Sequence, residues 1–101
     1  MSAIMNFAIF PIDKGDHVGE YVSKVVAHIR ECGLKYQFTP MATIVEADTV
    51  SELLQLVAEA HEILAPVSER TYCTISIDNS PKKANRIEGK RTSIEERIGK
   101  V

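Results

Sequence analysis

The stretch that most constrains the fold is Gly33 to Ala47, which lies between two amphipathic helical patterns. It holds two short β-prone runs, Lys35–Phe38 and Met41–Ala47, broken at Thr39-Pro40. Two such runs with a short break between them read as a hairpin. A hairpin held between two helices needs further strands to complete a sheet.

Those strands are predicted at either end of the chain. Ala3 to Pro11 alternates, with Met5, Phe7 and Ile9 on one side and Asn6, Ala8 and Phe10 on the other. Pro11 ends the run, because proline cannot donate to a ladder. Thr71 to Asp78 alternates likewise, with Cys73, Ile75 and Ile77 inward against Tyr72, Thr74, Ser76 and Asp78. Between these strands, Val18, Tyr21, Val22, Val25, Val26, Ile29 and Cys32 recur at helical spacing, which predicts a helix over 17–32. Asp16 is its expected N-cap, and Gly33 its expected left-handed C-terminal residue. Thr49 with Glu52 reads as a capping box opening a helix over 50–64, which Pro66 closes. Its stripe is Val50, Leu53, Leu54, Val57, Ala60, His61 and Leu64. Residues 81–90 read as a polar, basic loop. Ser93 with Glu96 reads as the cap of a short terminal helix carrying Ile94 and Ile98.

The order β-α-β-β-α-β predicts an α+β, ferredoxin-like sandwich with a four-stranded antiparallel sheet. Two helices would cover one sheet face and leave the other bare. Strand parity puts Asn6, Ala8, Phe10, Tyr72, Thr74 and Ser76 on the bare face, with Met41, Thr43 and Val45 as the expected hairpin set. Such a mixed face suits a sheet-to-sheet contact that encloses a small cavity, so the expected partner is a second copy of the chain.

At 101 residues the chain is expected to form a single domain spanning 1–101. Twelve basic and fourteen acidic residues leave a formal charge of −2, which argues against a general nucleic-acid binder. No apolar run approaches the ~20 residues needed to cross a bilayer. The first residues lack the basic start of a signal peptide. Two cysteines are too few for a disulfide scaffold or a structural zinc site. A cytoplasmic setting follows as the expectation.

Catalytic fingerprints are absent: there is no Gly-x-Ser-x-Gly, no phosphate-cradling glycine loop and no Gly-x-Gly-x-x-Gly. The loop after the first strand, Ile12 to Asp16, has no arginine to hold a phosphate, which disfavours an acylphosphatase. His61 reads as a hydrogen-bonded or half-buried core histidine. His28 reads as exposed, and His17 with Glu20 as solvated. No third ligand accompanies any of them, so no metal site is expected. Lys82, Lys83, Arg86, Lys90 and Arg91 form a basic cluster, read either as a solvated loop or as an anion contact at a subunit boundary. Glu46, at the end of an apolar strand, could accept hydrogen bonds from a ligand's nitrogens or act as a charge near the second helix.

Several stretches together resemble a known family. They are Phe10-Pro11, Tyr21-Val22, Gly33-Leu34-Lys35-Tyr36, Pro40-Met41-Ala42-Thr43-Ile44-Val45-Glu46, Glu59-Ala60-His61-Glu62, Thr74-Ile75-Ser76-Ile77-Asp78 and Asn85 to Lys90. In this order and over nearly the whole chain, they resemble the small thiamine-binding, YkoF-like proteins of family UPF0045. The resemblance implies a ferredoxin-like domain without catalytic activity. It further implies assembly through sheet faces, often into tetramers, and binding of thiamine or its hydroxymethylpyrimidine portion, with no other cofactor. The chain departs from the family pattern at Ala42 and Ala47, where glycine is usual, and at Asn79-Ser80, where a basic residue commonly follows the aspartate. On this reading Glu46 pairs with the aminopyrimidine and Thr43 bonds its edge. Asn6, Thr74 and Ser76 line the site, and Tyr36 or Tyr72 stacks on the ring. One tension is built in: Thr43 and Glu46 are three apart, so a regular strand points them to opposite faces.

Overall fold

The computed structural model describes all residues from Met1 to Val101. Its elements are β1 (Ser2–Pro11), α1 (Gly19–Glu31), β2 (Lys35–Phe38), β3 (Thr43–Ala47), α2 (Val50–Leu64), β4 (Thr71–Ser80) and α3 (Arg86–Ile98). The strands form one antiparallel sheet in the order β2-β3-β1-β4. The expected ferredoxin-like βαββαβ arrangement, with a further C-terminal helix, is therefore present.

Central position explains the composition of β1. Its odd-numbered residues Ala3, Met5, Phe7 and Ile9 are buried under the helices, and neighbouring strands flank it on both sides. From the helices come Val25 and Ile29 of α1, and Leu53, Leu56, Val57, Ala60 and Leu64 of α2. The α2 stripe is rotated from the sequence expectation: Leu56 is buried, while Leu54 and His61 face outward. His61 satisfies its ring within its own helix, donating from Nδ1 to the Val57 carbonyl at 2.9 Å. His28 is half-buried, since its Nε2 meets Glu59 Oε1 at 2.9 Å and so ties α1 to α2.

Caps fix the element ends. The Glu52 amide donates to Thr49 Oγ1 at 3.2 Å, as the capping box requires. Thr49→Ala should therefore cost about 1 kcal/mol of stability, read as a lowered urea midpoint with an unchanged slope. Gly33 follows α1 with φ +84°, a conformation that favours glycine. Asp16 does not cap α1; the helix opens at Val18 without a side-chain cap. The Thr39-Pro40 break is a tight turn. Thr39 Oγ1 donates to the Ala42 carbonyl at 2.7 Å and accepts from the Ala42 amide at 3.1 Å.

Two expectations are corrected by the register. Ala3 pairs with Ala47, Met5 with Val45 and Phe7 with Thr43. Paired residues share a sheet face, so Thr43 and Val45 lie on the helix-covered side and not on the open one. Ile44 and Glu46 take the open side, beside Asn6 and Ile4. Thr43 and Val45 are no more apolar than Ala42 and Ile44, so alternation through the hairpin chooses poorly between the two sets. Residues 86–90 are also not a loop. They form the first turns of α3, which starts over the open face, and Ser93 lies inside the helix and does not cap it.

Candidate functional site

The open face gathers several of the predicted site residues. Asn6 pairs with Ser76 and Ile44, and Ala8 pairs with Thr74. Asn6 and Ser76, with Ile4, Ile44, Asp78 and Lys90, line a shallow depression of about 250 Å³. At one end of the face, Phe10 and Tyr72 pack with ring centroids 5.8 Å apart. Asn6, Thr74, Ser76 and Tyr72 are thus neighbours, as parity required.

Glu46 lies at the other end and has its own partners. It is 6% exposed, and its two oxygens accept from the Arg86 amide at 3.0 and 2.8 Å. Oε1 also accepts from the Ile87 amide at 3.2 Å. The first amides of a helix lack internal partners and carry the positive end of its dipole. The carboxylate therefore caps α3 from a distant strand. Burial pushes its carboxyl upward, but the Arg86 and Ile87 amides more than offset this and hold it below the ordinary carboxylate value. Asn85, the residue before the helix, adopts a left-handed conformation (φ 52°) that asparagine tolerates. The Arg86 side chain, also buried, donates to the Asp78 carbonyl at 2.6 Å and pairs with the Asp78 carboxylate.

Thr43 stands apart from all of these. It is 5% exposed on the helix side and lines a pocket of about 410 Å³ between α1, β1 and the β2–β3 turn. The walls are apolar: Phe7, Ile9, Val22, Ile29 and Phe38 among them. No acid, base or thiol lines it. The Thr39 hydroxyl is consumed by the turn, whereas the Thr43 hydroxyl has no partner within the chain. Tyr36 pairs with Val45, so it too lies on the helix side, but at the β2 edge, in a groove with Ile87 and Glu88 and outside the Thr43 pocket.

The structure therefore divides the predicted set. Asn6, Thr74 and Ser76 belong to the open face, Glu46 to the α3 junction, Thr43 to the helix-side pocket and Tyr36 to the sheet edge. Sequence reasoning missed the pocket itself, including Phe38 and Val22. Its only signal was the apolar character of the residues flanking Thr39-Pro40. It also missed the junction of Glu46 with α3, for which the isolated acid after an apolar run was a partial sign. The cysteines differ: Cys73 packs partly buried against the core, whereas Cys32 is exposed. Burial pushes the Cys73 thiol up, and Cys32 Sγ donates to the Ile29 carbonyl.

Comparisons with known proteins agree over nearly the full length. A UPF0045 protein of Mycobacterium bovis is 30% identical over 95 residues, covering 94% of this chain and 93% of its own. A UPF0045 protein of Methanocaldococcus jannaschii is 31% identical over 93 residues, covering 92% of each. The crystal structure of a hypothetical protein from M. jannaschii superposes with a TM-score of 0.84 at 29% identity, covering 94% of this chain and 97% of that one. A Thermotoga maritima protein provisionally assigned to thiamine biosynthesis/salvage has the same fold, with a TM-score of 0.82 at 21% identity; the match covers 93% of this chain and 99% of that one. The family model described as thiamine-binding protein matches residues 5–95, and the chain belongs to that family.

Proposed function

We propose that this chain is a non-catalytic binding protein for thiamine or a hydroxymethylpyrimidine relative, and that the helix-side pocket holds the ring. The observation that carries this reading is an apolar pocket of about 410 Å³ with Thr43, a residue only 5% exposed, in its wall, its hydroxyl not engaged by any other group of the chain. Small-molecule sites typically measure about 300–1,000 Å³ and combine apolar walls with a few polar groups. An aminopyrimidine is flat and carries donors and acceptors on its edge. Val22 and Phe38 offer apolar surface to its faces, and Thr43 can donate or accept at its edge. A lining without acid or base favours holding a molecule over transforming it. Family membership and the provisional role of the Thermotoga protein in thiamine biosynthesis or salvage support the ligand class.

The open face then serves assembly. Asn6, Thr74 and Ser76 sit beside the Phe10–Tyr72 pair on a surface that α3 overlies only in part, and a second copy is the proposed cover. A dimer of dimers through such faces, working in the cytoplasm, completes the proposal.

Isothermal titration with thiamine and with hydroxymethylpyrimidine tests the ligand. Thr43→Val removes the hydroxyl at nearly constant volume and should weaken binding about tenfold, the equivalent of one hydrogen bond. Unchanged affinity in Thr43→Val, or no heat at millimolar ligand with the wild-type chain, would remove the assignment.

A further inference from the structure

Charge is distributed unevenly along the chain. Residues 1–80 carry five lysines and arginines against eleven acids, whereas residues 81–101 carry seven against three. A nearly neutral protein thus keeps a basic segment at its end. That segment is not a free tail, because the Glu46 carboxylate pins its helix to the sheet through the Arg86 and Ile87 amides.

Pinning creates a cleft. Between the end of β4 and α3 lies a space of about 770 Å³. Arg86, Lys90 and Ser93 enter it from α3, at spacings of four and three that place them on one helix face. Lys83 enters from the connecting loop, and Asn79 and Ser80 from the strand. Asp78 is the one carboxylate in the lining, and it is already engaged: Arg86 pairs with it, and Lys90 Nζ stands 3.5 Å from it. Three cations against one acid leave the cleft with an excess of positive charge. One of the three is fixed, since Arg86 is 7% exposed and held by the Asp78 carbonyl. Clefts lined by one sign of charge focus the field and concentrate counter-ions. Lysine ammonium groups with nearby hydroxyl and amide donors suit phosphate oxygens.

We infer that the cleft between α3 and the end of β4 is a second binding site, for a small molecule bearing a phosphate or diphosphate group. Its volume exceeds that of a bare phosphate, and Ile94 adds an apolar patch for the rest of the ligand. The lining contains no aromatic side chain on which a nucleic-acid base could stack, which separates it from single-strand RNA sites. It shares no lining residue with the Thr43 pocket, so the two sites can be tested independently.

The test titrates the full chain with inorganic pyrophosphate and, separately, with a short single-stranded oligoribonucleotide at the same salt. Lys83→Met with Lys90→Met removes two cations from the cleft, and Lys14→Met with Lys24→Met removes the same charge from the α1 side. Wild type should bind pyrophosphate at one site per chain. The cleft pair should weaken it about tenfold or more, and the control pair should stay within about twofold. Thiamine binding should be unchanged in both pairs, which keeps this result separate from the first reading. Absence of pyrophosphate binding to wild type would overturn the proposal, as would equal weakening in the two pairs. Tighter binding of the oligoribonucleotide than of pyrophosphate would overturn the ligand class.

Discussion

Phe7→Ala is expected to lower the unfolding free energy by about 3–5 kcal/mol. Phe7 is 2% exposed at the middle of the central strand, paired across the sheet with Thr43 on one side and Ile75 on the other. Truncation loses the ring's transfer energy and leaves a void among residues that already pack against their neighbours on β1. A chain of this size has a total stability of about 5–15 kcal/mol, so one side chain would remove a large share. Each kcal/mol corresponds to roughly 4–8 °C in a small domain, and thermal unfolding followed by circular dichroism would show the drop plainly. A shift corresponding to less than about 1 kcal/mol would contradict the packing described for β1. Because Phe7 also lines the Thr43 pocket, saturating thiamine should restore part of the lost midpoint if the ligand occupies that space.

Glu46→Gln is expected to cost about 2–3 kcal/mol. The substitution keeps the shape and removes the charge that accepts from two helix amides. It also turns an amide group toward those donors. The loss should be local at first, so amide exchange at Arg86 and Ile87 should accelerate more than exchange in β1. Its pH dependence has a definite sign. The folded-state carboxyl is held below its ordinary value of 4.5, so its contribution is fully present above that pH. As pH falls from about 4.5 through the lower folded value, the contribution disappears, and the difference between wild type and Glu46→Gln should close. A wild-type chain that loses no more stability than the variant on acidification would refute the capping role. If Glu46 instead bound the ligand, Glu46→Gln would lower thiamine affinity in folded protein; capping predicts no such change, whereas Thr43→Val should show the reverse pattern.

Helix and strand placement was largely legible in the sequence because each element carries its own local pattern. β2, α2 and the Thr49 cap fall where periodicity and capping chemistry predict them. The face of β3 was not legible: Thr43 and Val45 on one side and Ala42 and Ile44 on the other differ too little in hydrophobicity for alternation to decide. Register with β1 decides it, and register depends on pairing across the sheet. The start of α3 was hidden for a related reason. Residues 86–90 are mostly polar, no capping side chain precedes them, and the acid that caps them lies forty positions earlier. The expected convergence of Thr43 with Glu46 failed for the geometric reason visible in advance, since three residues along a regular strand reverse direction. Asn6, Ser76 and Thr74 were grouped correctly because β1 and β4 pair over their whole length without a bulge.

The cap on α3 also implies an order of events when the chain folds. An isolated helix of this length, polar over most of its surface, is marginal in water. Its missing hydrogen-bond acceptor appears only once β3 has joined β1 and set Glu46 on the open side. α3 is therefore expected to form after the sheet. Until the sheet exists, the basic segment 81–101 lacks its cap and stays accessible to proteases that the finished fold would exclude.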